Sequence, residues 1–431
     1  MKQIRLLFNI LAVVLVFGCR PPARVAAPSR SPAGSGTVAA ASDTFLLNLL
    51  HRSGLFEPIL ADPARYRVQV IYTKIDRTSG NKPQFTNYDL NVDRSSYFYP
   101  ASTVKLPVAL LALQRVNELA SSGLTPASSF ITEAGSPGQA PVFNDPSTPD
   151  GRPTIAQYIR KILLVSDNDA YNRLFEFLGP DYINKALHGM GYDSAQIIHR
   201  LQVSLSEAQN RRTNPVRFFD TTGRLLLAQP EAVSLMRWQQ RQTLLGNGYM
   251  SRGQVVNAPF DFSKKNRLSL PDLHSILTSL LFPEAVPKKK RFGLTRADYN
   301  FVYRYMSMAP SESRFPSYDT SYPDAYSKLL LFGGSGRLEN PSVRIFNKEG
   351  DAYGFLTDAA YIVDFDNGIE FLLSATIYCN SDAIFNDDHY DYDTVGLPFL
   401  KNLGRVLYDY ERARPRRHKP DLSPFKMTYG E

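Results

Sequence analysis

The sequence predicts an α+β fold: an antiparallel sheet flanked by helices, some of them gathered into a helical subdomain. Strand-like runs stand near both ends of the chain, with helical patterns between them. The runs 353–365 and 369–379 are hinged at Asp366-Asn367-Gly368, a strong hairpin signal. No internal repeat interrupts this order.

Taken in order, Phe45, Leu46, Leu49 and Leu50 recur at helical spacing. Residues 66–75 alternate, with Val68, Val70 and Tyr72 on one face, and read as a strand. Residues 84–90 form a second strand after a turn at Ser79-Gly80-Asn81. The dense apolar pattern of 106–119 has no interior glycine and predicts a buried helix. Further helices are expected at 154–165, at 169–178 (stopped by Gly179-Pro180), at 268–281 and at 395–410.

The chain has 431 residues, 43% hydrophobic and 21% charged, enough for a sizeable core. Its formal charge of +8 suggests a polyanion-binding protein, but the excess is local. Arg412, Arg414, Arg416, Arg417 and Lys419 sit near the end, and Lys288-Lys289-Lys290-Arg291 form one run. Such runs are expected to be solvated, so no nucleic-acid partner is expected. The start, Met1-Lys2-Gln3-Ile4-Arg5, precedes an apolar run to Phe17 that is too short for a membrane span. Residues 20–42, rich in Pro, Ala, Ser and Gly, cannot bury a core and read as a flexible tether. Of the two cysteines, Cys379 lies in an apolar run and is expected to be a buried, inert thiol.

Three short motifs carry the chemistry. Ser-x-x-Lys occurs at Ser79–Lys82, Ser102–Lys105 and Ser423–Lys426. The first lies in a turn and the third precedes Pro424, so only Ser102 stands at the mouth of a long apolar helix. Residues three apart share a helix face, which lets Lys105 reach the Ser102 hydroxyl. The helix N-terminus favours a developing anion there. Ser166-Asp167-Asn168 falls between two helices, where a loop can aim side chains into a cleft. Ser166 is expected to relay a proton, Asn168 to hydrogen-bond a substrate amide, and Asp167 to brace the loop. In Lys348-Glu349-Gly350, Lys348 places a second cation near Lys105 and lowers its pKa. Gly350 is expected to let the substrate backbone lie close to a strand edge. The backbone N–H groups of Ser102 and Asp351 are expected to form an oxyanion hole.

The three motifs, in this order, resemble the serine β-lactamase and penicillin-binding protein superfamily, closest to class A β-lactamase-like serine hydrolases. Supporting stretches are Tyr97-Phe98-Tyr99-Pro100 before the serine, Leu106-Pro107-Val108 after it, and Ser269-Leu270-Pro271 opening a helix. The resemblance implies an active site between an antiparallel sheet and a helical subdomain, with Ser102, Lys105, Ser166 and Lys348 as catalytic residues. It also implies that Asn168, Gly350 and Asp351 bind the substrate. Val16-Phe17-Gly18-Cys19 resembles a lipobox, implying a signal peptide over 1–19 and lipidation of Cys19. The hydrolase domain is then 43–411, followed by a basic tail, 412–431.

Three departures stand out. After His199-Arg200-Leu201, which resembles the start of the loop carrying the deacylating glutamate, the sequence reads Gln202-Val203-Ser204-Leu205-Ser206-Glu207. Glu207 is the one nearby carboxylate and the candidate for deacylation. An insertion around 210–260, with Trp238 and Asn247-Gly248, is expected either to reshape the cleft or to cover it. Glu349 and Asp351 flank Gly350 where the family uses hydroxyls, and a carboxylate there repels a substrate carboxylate.

The expected function is therefore an exported serine hydrolase acting on a β-lactam or peptidoglycan-type amide through an acyl-Ser102 intermediate. It would be lipid-anchored in a bacterial cell envelope, without cofactor or metal. The alternative is a catalytically impaired envelope or peptidoglycan binding protein on the same scaffold. The acidic stretch 387–393 lacks calcium-loop spacing and is expected to be a solvated loop. No histidine pair shows zinc spacing.

Overall fold

The computed structural model describes residues 44–338 and 340–430. The signal segment, Cys19 and the tether lie outside the described residues. At the centre is a five-stranded antiparallel sheet. Its spatial order is Val343–Ala352, Phe355–Asp364, Ile369–Tyr378, Gln69–Arg77 and Pro83–Leu90. The middle strands are buried on both faces, which explains their nearly continuous apolar runs. The hairpin at 365–368 closes as expected, pairing Asp364 with Ile369. A second hairpin turns on Tyr353-Gly354, both at positive φ (54° and 76°), the requirement of a two-residue turn matched to strand twist.

Successive side chains point to opposite faces of a strand, and the sheet uses both. On one face Val70, Tyr72, Ile345, Ile362 and Leu373 pack against helices Thr44–Ser53 and Leu397–Ala413. On the other, Ile75, Phe346, Tyr361 and Leu372 join the larger core. That core is filled by helices Lys105–Glu118, Ile155–Val165, Asn168–Gly189, Leu270–Leu281 and Arg296–Ser307. Thr154, Asp167, Ser269 and Thr295 each cap the helix that follows. Helix Asn168–Gly189 is broken at Gly179 (φ 70°, ψ 151°) before Pro180, where the sequence predicted a stop. Buried His274 bridges helix and sheet, bonding Thr73 and Ser374 at 2.8 Å each. Among the described residues no helix is long and apolar enough to cross a membrane.

One expectation needs correction. Residues 412–430 are not simply a solvated tail. Arg414 and Arg416 both bind the fully buried carboxylate of Glu411, and Phe425 packs against Phe282, Tyr303, Phe346 and Tyr361. Arg414 and Arg416 are thus paired internally, while Arg412, Arg417 and Lys419 remain exposed. Tyr303 and Tyr305 are buried in a helix the periodicity did not reveal, Arg296–Ser307. Cys379 is buried, and desolvation pushes its thiol up to about 12, as expected of an inert cysteine.

Arg77 and Glu370 close the sheet beneath this core with a buried two-point ion pair at 2.6 and 2.7 Å, and Tyr361 donates to the same carboxylate at 2.7 Å. Replacing Glu370 by Ala leaves the guanidinium buried and unpaired. The expected loss is ~3–5 kcal/mol in urea denaturation. A loss below ~1 kcal/mol would contradict this reading of the pair.

Candidate active site

Ser102 lies in a single tight turn, Ala101–Val104, that runs directly into the helix beginning at Lys105. Ala101 holds a positive φ of 44°, a costly conformation for a residue with a Cβ, which sets the entry angle of the serine. Ser102 Oγ and Lys105 Nζ are 2.7 Å apart. Lys105 is 0% exposed and ringed by oxygens. Asn168 Oδ1 lies at 2.8 Å and Ser166 Oγ at 3.2 Å, and the Ser166 carbonyl also accepts from the amine. That carbonyl is aimed inward because Ser166 adopts the left-handed conformation (φ 60°, ψ 37°) at the end of helix Ile155–Val165. Asp167 caps the next helix through the Ala170 N–H, so it braces the loop.

Lys348 stands mid-strand in Val343–Ala352, at the sheet edge, and is also 0% exposed. Its amine donates to Ser166 Oγ at 2.8 Å and to Glu349 Oε1 at 2.9 Å. Ser166 thus joins the two lysines. Burial is the larger cause that holds Lys105 well below the ordinary lysine range, with Lys348 second. A neutral Lys105 can accept the Ser102 proton. Glu349 is held below its usual range despite desolvation, by Lys348.

Gly350 shares the Lys348 face of the strand, and its backbone abuts the serine turn. A Cβ at Gly350 would stand 2.8 Å from Pro100 O, 2.8 Å from Ser102 N and 2.9 Å from Thr103 N. The expected role of this glycine is therefore corrected: it admits the backbone of the nucleophile's own turn.

In front of this cluster opens a cleft of about 730 Å³. Ser102, Ser166 and Asn168 line it, while the two lysines lie behind that wall. Gln202 reaches in from the loop after Arg200 and accepts from Asn168 Nδ2 at 2.8 Å. Arg200 is anchored by buried Glu176 at 2.9 Å. Glu207, the sequence's candidate for deacylation, is not brought to the cleft. It is exposed and paired with Arg211 at 3.0 Å and Lys264 at 3.1 Å. No residue of 210–260 lines the cleft either. That segment forms small sheets, one with Ser129–Thr132 and one that pairs Gly248–Tyr249 with Ile384–Phe385, just before the cleft-lining Asn386. Phe260 stacks on the cleft-lining Tyr353, so the segment supports the cleft from behind, and Trp238 lies under Arg211.

The opposite wall comes from residues the sequence reading left aside. Asn386, Asp388, Tyr390, Tyr392 and Asp393 line the cleft, so 387–393 is a wall of the site and not merely a solvated loop. The loop is braced: Asp391 accepts from Ser381 N at 2.8 Å, and Tyr392 OH accepts from Gly354 N at 2.9 Å. Alternating acids and tyrosines after the last strand were the available signal. At its outer side Asp382, Asp387 and His389 bring one donor atom each within 4.8 Å of one another, and two of the three are exposed. Asp351 also faces the cleft. Desolvation by the walls, then Glu349, pushes its carboxyl up to about 6.

A serine hydroxyl in contact with a buried lysine amine, with a second lysine behind a bridging serine, can perform acyl transfer. The chain belongs to the β-lactamase enzyme family, which it matches over residues 82–410. Solved structures similar to it include a β-lactamase from Chitinophaga pinensis (14% identity, 84% of this chain and 99% of that one, TM-score 0.47). Another is a β-lactamase from Sphaerobacter thermophilus (12%, 84% and 98%, TM-score 0.45). A third is a mutant of PBP-A in an acyl-enzyme complex with penicillin G (16%, 85% and 96%, TM-score 0.46). No curated protein matches.

Gly350→Ala tests the contact between strand edge and serine turn. The atoms it meets are backbone, so the strand and the turn must separate. Reaction of Ser102 with an activated ester is expected to slow by ~100-fold, since displacements near 1 Å cost that much. Near-normal reactivity would show that the close approach is immaterial.

Proposed function

We propose that this protein is an exported serine hydrolase that acylates Ser102 on the amide of a β-lactam or peptidoglycan-type peptide. The observation that carries the reading is the 2.7 Å approach of Ser102 Oγ to the buried Lys105 amine. Neutral Lys105 takes the hydroxyl proton as Ser102 Oγ attacks the substrate carbonyl. The backbone N–H groups of Ser102 and Asp351 receive the oxyanion. The C–N bond breaks, and the proton passes from Lys105 through Ser166, held by Lys348, to the leaving nitrogen. Asn168 orients the acyl amide. Water then attacks the ester, releasing the carboxylic acid and restoring the hydroxyl.

The last step lacks a dedicated base on the loop beside Asn168, because Gln202 is neutral. The acyl-enzyme is therefore long-lived. The open cleft, clear of residues 210–260, supports an enzyme over a binding protein with a blocked pocket. The charged start, short apolar run and Cys19 support a lipid anchor in a bacterial cell envelope, with 20–42 as tether.

Intact-mass spectrometry of the full chain, mixed with an uncharged activated ester, tests this reading. An adduct on the wild type that is absent from Ser102→Ala is expected, and labelling that survives the substitution would remove the assignment. Gln202→Glu is expected to shorten the adduct lifetime at least tenfold, within the range of general-base catalysis. An unchanged lifetime would place the deacylating water elsewhere.

A further inference from the structure

The chain carries a formal charge of +8, yet no lysine, arginine or histidine lines the cleft in front of Ser102. Its lining charges are three carboxylates, Asp351, Asp388 and Asp393, none of them in an ion pair among the described residues. They come from two separate segments of the chain, tied together where Gly354 N donates to Tyr392 OH at 2.9 Å. The two lysines behind the wall offset them only in part, since both act on Asp351 alone of the three. Lys105 is driven toward its neutral form, and Lys348 is already countered by Glu349 at 2.9 Å. Lys265 reaches the Tyr353 hydroxyl at 3.4 Å but does not line the cleft. A concave site bearing one sign of charge between low-dielectric walls focuses its field on whatever enters.

The second observation is aromatic. Tyr326 and Tyr390 line the same cleft as the carboxylates, and Tyr326 is 39% exposed. Tyr353 lines it too, but its ring already meets the Lys265 amine at 5.5 Å. Ring faces and carboxylates together are the surroundings that recognise an ammonium group, through cation–π attraction and charge. A substrate carboxylate meets the reverse: three like charges, and one lysine already paired.

Resting on the reading of Ser102 as the nucleophile, we propose that this cleft selects an acyl substrate bearing an ammonium group and disfavours one bearing a carboxylate. Asp388 and Asp393, with the neighbouring tyrosines, determine that specificity. The substrate class is then an amine-bearing, peptide-like amide, and penicillin, which carries a carboxylate, is a poor ligand for the same chemistry.

Three p-nitrophenyl esters of equal chain length test this with the full chain: 6-aminohexanoate, hexanoate and the adipate monoester. Their kcat/KM values, measured from p-nitrophenolate release at low salt, are expected to fall in that order, with at least tenfold between the ammonium and carboxylate ends. The ratio of ammonium to neutral ester should drop at least threefold in the Asp388→Asn/Asp393→Asn double variant. Because the ratio is taken within one preparation, it does not depend on how much of the variant folds. Raising the salt to 1 M should compress the series, as screening requires. A carboxylate ester that reacts as fast as the ammonium ester, or a ratio unmoved by the double variant, would overturn the proposal and leave the nucleophile assignment standing. Failure of all three esters to acylate Ser102 would overturn both.

Discussion

The site depends on keeping one lysine amine out of water. Lys105 has no exposed surface, and its amine is surrounded by the Ser102 hydroxyl, the Ser166 hydroxyl and carbonyl, and the Asn168 amide oxygen. Burial penalises the charge of the protonated amine, and the nearby Lys348 cation adds to that penalty. The neutral form therefore becomes accessible beside a hydroxyl that needs a proton acceptor. The Lys105 helix packs into the larger core, and helix Ile155–Val165 ends in a left-handed serine so that its carbonyl turns inward. Asp167 starts the next helix on the spot. The local strain at Ala101 and Ser166 is held in place by those surroundings.

The sheet supplies the other half. Its edge strand brings Lys348 and Gly350 to one face by simple alternation. Lys348 then reaches Ser166, and Gly350 brings the strand against the serine turn with no room for a Cβ. Glu349, between them, finds the Lys348 amine and removes much of the free positive charge that an anionic substrate would need. The same substitution pattern that makes the strand a departure from its family thus fits the acidic, tyrosine-lined cleft before it.

The parts of this arrangement encoded locally were legible in the sequence. Ser102–Lys105 and Ser166-Asp167-Asn168 fix their geometry within a few residues of backbone, and the hairpin at Asp366-Asn367-Gly368 is a turn signal in itself. The helices capped by Thr154 and Ser269 were found within about two residues, the usual uncertainty of a helix end. What depended on distant partners was not legible. Gly350 looked like a seat for substrate because nothing in the sequence places Pro100 against it. Arg414 and Arg416 looked like solvated charge because Glu411 is a buried partner only once the final helix docks on the sheet. The loop 387–393 looked exposed because a run of acids reads as solvated, although it is fixed at the cleft by the pairing of Ile384–Phe385 with Gly248–Tyr249 and by the Gly354 N–H on Tyr392 OH. The absence of a glutamate directly after Arg200-Leu201 was visible and led to Glu207, but the contact of Gln202 with Asn168 needed the fold.

The central claim is that Ser102 is activated by a desolvated, neutral Lys105. The most direct test is the pH dependence of Ser102 acylation by an uncharged activated ester, followed by intact mass, beside Lys105→Gln. Deprotonation of Lys105 should raise the rate tenfold per pH unit and then level off well below the ordinary lysine pKa of about 10.4. The profile should vanish in Lys105→Gln. A rate that keeps climbing to the ordinary lysine range, or a wild-type profile that persists in Lys105→Gln, would contradict the account.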